Sequence, residues 1–383
     1  MASIRIGFIG LSTQGWASTE VVPPLFHPLL ASKYTLTALC TRSEASATAA
    51  AKKYSELAGR TVKPYYGKDG VQGIVRDPEV DMIGVTVKMP DHFDLVMAVI
   101  DAGKDLFVEW TPGSSYEQTV QIAEAAKRKG IRVLVGGQAN QGLAINKVKE
   151  LIEGGKIGRI LSTTAILSAN EETLYWGPKR KEWARYNLDI NNGANLLTIP
   201  VGHFVVALDY VLGSVANVSA SGAILYPSGD FVDSDRKPTG EIFHTNAHDQ
   251  IAFAGTFAGA HEGAFYNIHA RGGVASTGER GRGRRLLQWI IDGEDGTIEL
   301  ANQPGSGWFG AFAAMANKDV FLNGEKVELV EKEEDQLGHC GKAWLEFAKG
   351  PSGNFTTIDD AVRVHRVLDA VLTSIKDGKR VDL

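Results

Sequence analysis

The 383 residues correspond to two or three folding units at about 150 residues each, and a hydrophobic share of 44% provides for a sizeable core. Forty Lys and Arg against forty-five Asp and Glu leave a net charge of −5, which excludes nucleic-acid binding through a general basic field. Two cysteines, Cys40 and Cys340, are too few for a disulfide scaffold and lack metal-ligand spacing; with no signal-type segment before Ile4 and apolar stretches far short of the roughly 20 residues of a spanning helix, a cytoplasmic protein without a membrane segment or a metal is expected.

Up to about residue 140 the chain predicts strands alternating with helices, the pattern of an α/β domain with a mostly parallel sheet. The strands are Ile4–Ile9, Tyr34–Cys40, Val80–Val87, Leu106–Val108 and Ile131–Val135. Between them lie helices over Ser43–Tyr54 and over Asp91–Ala102, with Asp91 as N-cap and Gly103 as terminator. A further helix opens at Ser114-Ser115-Tyr116-Glu117, which has capping-box spacing, and runs to Gly130. Beyond about residue 155 the pattern changes. Ile160–Leu167 reads as a strand, Ala194–Leu212 as a long apolar helix, and Gln250–Ala270 as a hairpin turning near Gly259–Gly263. A second hairpin joins Gln288–Ile291 to Thr297–Leu300, and Val320–Leu329 folds back at Asn323-Gly324. Leu345–Phe347 and Ile358–Ile375 supply closing helices. The expected division is 1–137 for a dinucleotide-binding domain and 138–383 for an α+β domain with an open, mainly antiparallel sheet serving substrate and oligomerisation, its last helices able to pack back on the first.

Gly10-Leu11-Ser12-Thr13-Gln14-Gly15 follows the first strand directly and has the spacing of the dinucleotide fingerprint, with Ser12 in place of the middle glycine. Such a turn brings backbone N–H groups close to a pyrophosphate, and serine obstructs that approach less than a larger residue would. Gly10, Ser12, Thr13, Gln14, Gly15 and Trp16 are therefore candidate cofactor-binding residues. Pro23, Pro24 and Pro28 shorten or break the helix that follows. The second strand ends in Thr41-Arg42-Ser43, where an NAD-selective site would place an acidic residue for the ribose hydroxyls. A guanidinium between two hydroxyls suits a 2′-phosphate instead, so NADP(H) is expected in preference to NAD(H). The alternative is that Arg42 is a solvated surface charge.

These residues resemble the Gfo/Idh/MocA family of glucose-fructose oxidoreductases and inositol dehydrogenases. Val80-Asp81-Met82-Ile83, Pro90-Asp91-His92 and Ala102 to Glu109 follow the order of that family's third crossover. Lys149 to Gly158, Gly202-His203, Asp295-Gly296-Thr297 and Asp359-Asp360-Ala361 extend the resemblance over nearly the whole chain. It implies a Rossmann domain and an open antiparallel domain, nicotinamide and substrate meeting in the cleft between them, a sugar-like or polyol-like substrate, and a homodimer or homotetramer. Val87, Lys88, His92, Glu109, Trp110, Thr111 and Gln138 join the candidate cofactor site on this basis.

Two expected groups are absent. Family dehydrogenases carry Glu-Lys-Pro after the strand that ends here at Val108, the lysine exchanging a proton during hydride transfer; this chain has Glu109-Trp110-Thr111-Pro112. The family also tends to place Asp four residues before the helix histidine, and here Ile199 precedes His203. Acid–base assistance is worth about 10²- to 10⁴-fold, so a working dehydrogenase needs a substitute. Three sets of residues are open: His203; Lys88 with His92; and Tyr175 with Lys179 or Tyr186. His203 ranks first, against a reading as a packed helix residue; Lys88 also suits a cofactor contact, and Tyr175 and Trp176 also read as loop aromatics.

Gly10 to Trp16, Phe107-Val108-Glu109-Trp110, Gln138 and Asp189 to Gly193 are similar to the family branch of fungal galactose-regulon repressors, which bind cofactor and act by protein contact. The leading expectation is an NADP(H)-dependent oxidoreductase. A non-catalytic NAD(P)-dependent regulator with a protein partner, and a redox-neutral enzyme that recycles its dinucleotide, are the alternatives. His244 and His248 have a spacing that binds metal on a helix, but their flanks read as extended. Arg280, Arg282, Arg284 and Arg285, like Lys179-Arg180-Lys181, read as solvated charge.

Overall fold

The computed structural model describes residues 3–302 and 318–383. They form two compact units, the first built from the chain up to Gln141 together with Lys332–Val362, the second from Gly142–Glu331 and Arg363–Leu383.

The first unit holds a six-stranded sheet of β1 (Ile4–Ile9), β2 (Tyr34–Thr41), β3 (Lys63–Tyr66), β4 (Met82–Val85), β5 (Asp105–Val108) and β6 (Val133–Val135). The order is β3-β2-β1-β4-β5-β6 with every pairing parallel, so the sheet reverses direction of growth between β1 and β4. Ligands of such sheets bind beyond the carboxyl ends of the strands at that reversal. The crossovers carry α1 (Pro28–Ala31), α2 (Glu44–Ala58), α3 (Gly67–Arg76), α4 (His92–Asp101) and α5 (Tyr116–Lys129).

Local chemistry explains most of these elements. Ser43 caps α2 by accepting from the Ser46 amide, and Gly59 ends it at φ 62°. At α5 the cap is Ser115, accepting from the Gln118 amide, while the Gln118 side chain returns to the Ser114 amide. Asp91 stands at the start of α4 without a side-chain capping bond, contrary to the sequence reading. The prolines break the segment after β1 into a wide turn Ala17–Val21, a 3-10 turn Pro23–Phe26 and the single turn of α1. Sequence reading missed β3 and α3. The edge strand contains Pro64 and is only half covered, and α3 includes Gly70 and Gly73, whose missing Cβ atoms let the helix lie against Tyr65; a Cβ on Gly73 would meet the Tyr65 ring at 2.7 Å.

The second unit opens with α6 (Leu143–Glu153) and carries a nine-stranded sheet in the order β17-β16-β15-β14-β7-β13-β12-β9-β18. Its strands are β7 (Ile160–Asn170), β9 (Asn217–Ala223), β12 (Gln250–Thr256), β13 (Phe265–Val274), β14 (Leu287–Gly293), β15 (Thr297–Asn302), β16 (Lys318–Leu322), β17 (Glu325–Val327) and β18 (Val381–Asp382). All pairs are antiparallel except β7 with β13, and the three expected hairpins are β12–β13, β14–β15 and β16–β17. A small sheet joins β11 (Pro238–His244), β10 (Ser228–Val232) and β8 (Lys179–Lys181). The long apolar helix is shorter than expected: Leu197–Val201 is a wide turn around Pro200, and α7 (Gly202–Leu212) follows. Residues 190–212 are long and apolar enough to cross a membrane, which corrects the sequence reading of apolar length, but the segment's most apolar window is 78% buried in the fold, as expected for a core helix. The turn α8 (Gly278–Gly281) completes the unit.

The chain then returns to the first unit as α9 (Gly338–Ala348) and leaves it within α10 (Ile358–Asp377). Trp344 of α9 packs on Phe107, Tyr34 and Phe8 with ring centroids 4.8, 5.5 and 6.3 Å away. Its indole donates to Val21 O, and the Tyr34 hydroxyl donates to Trp344 O. The Val135 amide donates to Thr356 O, and Gln141 and Asn140 hold Asn354.

Candidate active site

The loop after β1 is shaped by its two glycines. Gly10 has φ 102°, and a Cβ there would lie 2.7 Å from Thr86 O at the end of β4. Gly15 has φ 93°, and nothing comes within 4 Å of the place a Cβ would take. At Gly10 only glycine combines that backbone with that approach. The Ser12 hydroxyl donates to Gln14 O, so the residue replacing the middle glycine closes the loop on itself. From α2, Lys53 donates to Thr13 O and Ser18 Oγ, and the Tyr54 hydroxyl reaches Ser12 O and Ser18 Oγ. These two braces were not legible beforehand, since nothing in their spacing marks them.

At the end of β2, Thr41 Oγ1 donates to Ser43 O, leaving the exposed Arg42 beside the start of α2. Beyond β4, Val87 is half-buried and Lys88 exposed, and the buried His92 ties two loops: Nδ1 lies 2.8 Å from Thr111 O and Nε2 3.1 Å from Val87 O. Burial lowers its pKa. A neutral ring donates to only one of the two carbonyls, so His92 positions the Val87 and Thr111 backbone from inside. Beyond β5, Trp110 and Thr111 are both buried and joined by a cis peptide; Thr111 Oγ1 donates to Gly113 O. Gln138 is buried at the start of the turn after β6.

Glu109 is the electrostatic centre of this edge. Its carboxylate accepts from the Trp16 indole and the Trp110 amide, while Oε1 is buried without a protein partner. Gly136 makes room for it: a Cβ there would stand 2.7 Å from Glu109 Oε2. Burial pushes the carboxyl up to about 7. Trp16 also neighbours His339 of α9, ring centroids 6.4 Å apart and tilted by 31°. Burial pushes its imidazole down to about 4, and Nε2 has no protein partner. A groove of about 610 Å³ runs from His339 and Glu20 between Pro23–Phe26 and Leu337–Cys340. Sequence reading missed His339, which lies more than 300 residues from the loop it adjoins.

The second-unit candidates fall in two places. His203 is half-buried in the first turn of α7. Tyr175 stacks on Trp176 and meets the Trp183 ring edge-on, with centroids 5.2 and 5.1 Å away, and Tyr186 lies near enough to raise its pKa further. Burial raises both phenols above the ordinary tyrosine range. Lys179 is exposed on β8, His244 ends β11, and His248 lies in the connection that follows. Arg280 pairs with Glu171.

Residues 4–137 match the family model for the oxidoreductase family with an NAD-binding Rossmann fold, the Gfo/Idh/MocA model, and residues 144–302 match that for the C-terminal domain of Gal80p. The first unit thus carries the Rossmann domain of the Gfo/Idh/MocA oxidoreductase family. The chain is 28% identical to dehydrogenase aclE of Aspergillus oryzae across 98% of this chain and 97% of that protein. A shorter stretch, 25% of each chain, is 31% identical to the D-xylose 1-dehydrogenase (NADP(+)) of Hypocrea jecorina. The fold also matches the crystal structure of a super-repressor mutant of Gal80p from Saccharomyces cerevisiae with a TM-score of 0.85 and 23% identity, covering 100% of this chain and 98% of that one. The first unit thus has the NAD-binding Rossmann fold, and its residues suit a nicotinamide dinucleotide: nothing lies within 4 Å of the place a Cβ on Gly15 would take, and Glu109 Oε1 is buried without a protein partner. Trp110, which follows Glu109, is buried, and Ile199, four residues before His203, is half-buried.

Proposed function

We propose that the protein is an NADP(H)-dependent dehydrogenase acting on an alcohol or carbonyl carbon of a sugar-like or polyol-like molecule. The observation that carries this is the Gly10–Gly15 loop at the reversal point of a β3-β2-β1-β4-β5-β6 parallel sheet. The dehydrogenase relatives, among them a D-xylose 1-dehydrogenase that uses NADP(+), support the reaction and the substrate class. The bound nicotinamide supplies the hydride donor or acceptor. Loop amides from Ser12 to Trp16 hold the pyrophosphate, and the Arg42 guanidinium with Ser43 binds the 2′-phosphate. Glu109 and the Val87 and Thr111 backbone, set by His92, border the ring. With Trp110 in place of lysine, His203 is the group we assign to the substrate oxygen, as proton donor or acceptor.

The match of residues 144–302 to the Gal80p C-terminal domain favours one second reading, a regulator whose protein contact depends on dinucleotide. One set of measurements separates them. The purified protein is titrated with NADPH and NADH by calorimetry, then followed by the absorbance of reduced nicotinamide with a panel of aldoses, polyols and their carbonyl forms. Binding with turnover supports the dehydrogenase; binding without turnover on any member leaves the regulator; no binding defeats both. In the same titration Arg42→Ala is expected to weaken NADPH about tenfold or more with little effect on NADH, the loss of a charge-assisted phosphate contact. Equal losses for both remove the 2′-phosphate assignment.

A further inference from the structure

Among the described residues of the first unit, two buried polar side-chain atoms stand without a protein partner, Glu109 Oε1 and His339 Nε2. Both flank the same indole. Trp16 donates to the Glu109 carboxylate, its ring centroid lies 6.4 Å from that of His339, and it directly follows Gly15 of the dinucleotide loop. Burial raises the thiol pKa of Cys340, the next residue of α9, and the nearby Glu109 and Glu20 raise it further, so the beginning of α9 lies near the end of β5. Orphaned buried polar atoms cost about 1–3 kcal/mol each, and two of them beside one loop call for a ligand that pairs both.

We propose that His339 is a dinucleotide-binding residue, and that its Nε2 and Glu109 Oε1 together hold the carboxamide of the nicotinamide ring. The inference rests on the dinucleotide reading above and adds to it a residue from the returning segment. The chemistry matches in both halves: a carboxylate oxygen accepts from the carboxamide NH₂, and a neutral imidazole N–H donates to its C=O. The placement matches as well, because Glu109 follows β5, next to β4 and the reversal point toward which the nicotinamide end runs. Trp16 keeps both partners in place.

The test is calorimetric titration of the full chain at pH 8, where Glu109 is ionised, with NADP⁺ and with 2′-phospho-ADP-ribose, which keeps the terminal ribose but lacks the nicotinamide. His339→Phe keeps a ring against Trp16 and loses the nitrogen; His339→Gln returns an amide N–H. The Phe variant is expected to bind NADP⁺ about five- to tenfold more weakly with 2′-phospho-ADP-ribose unchanged, and the Gln variant to recover part of the loss. Unchanged NADP⁺ affinity in the Phe variant overturns the proposal. So does an equal loss for both ligands, which makes His339 a brace of the loop or a ribose contact. Wild-type protein that binds neither ligand defeats the dinucleotide reading itself. Melting curves of both variants check that the fold is intact.

Discussion

At the scale of single residues, the site is governed by how far burial moves a charge away from its ordinary behaviour. Glu109 is held neutral across part of the usual pH range because Oε1 has no protein donor to replace water, and its two donors, Trp16 and Trp110, do not offset the lost hydration. The sign follows from its folded pKa of about 7 lying above the ordinary 4.5. Its contribution is fully present below 4.5 and is lost as pH rises through 7, a loss of about 3 kcal/mol when complete. Glu109→Gln keeps the acceptor for Trp16 and removes the charge. It should therefore melt with wild type near pH 4.5 and increasingly above it toward pH 8, measured by urea unfolding across that range; parallel pH profiles would show that the carboxyl is not raised. The residue type was legible as a cofactor neighbour, its electrostatic state was not, because Gly136, Trp16 and Cys340 meet it only in the fold.

At the scale of elements, helices with side-chain caps and alternating strands announced themselves, and failures cluster where packing overrode propensity. The α3 glycines lower helix propensity yet are what let the helix approach Tyr65, and β3 contains a proline because it is an edge. The decisive element is α9, whose Trp344 fills the space against Phe107, Tyr34 and Phe8 and donates to Val21 O. Trp344→Ala creates a large cavity and orphans that carbonyl, and should cost about 3–5 kcal/mol in urea unfolding. A cost below 1 kcal/mol would mean that α9 is an appendage of the sheet. Of α9 only Leu345–Phe347 read as helical beforehand, whereas Ile358–Ile375 anticipated nearly all of α10.

For the whole molecule, the discontinuity of the first unit matters most. Its sheet and dinucleotide loop are encoded before residue 141, but the residues that cover Phe107, pair with Val135 and stand beside Trp16 arrive from 332–362. A polypeptide of residues 1–141 is thus expected to lack a cooperative urea transition and near-ultraviolet circular dichroism, while the full chain shows both; a cooperative transition in the fragment would show the returning segment to be dispensable. The amino-acid sequence by itself determined the parallel α/β half, the hairpins of the second sheet, and the glycine loop with the family it resembles. These are local matters of periodicity, turn chemistry and residue spacing. Tertiary structure alone decided that His92 faces inward, that burial raises the Tyr175 and Tyr186 phenols, and that Glu109, Trp16 and His339 form one cluster. Burial and long-range proximity set those properties, and neither is written in the order of neighbouring residues.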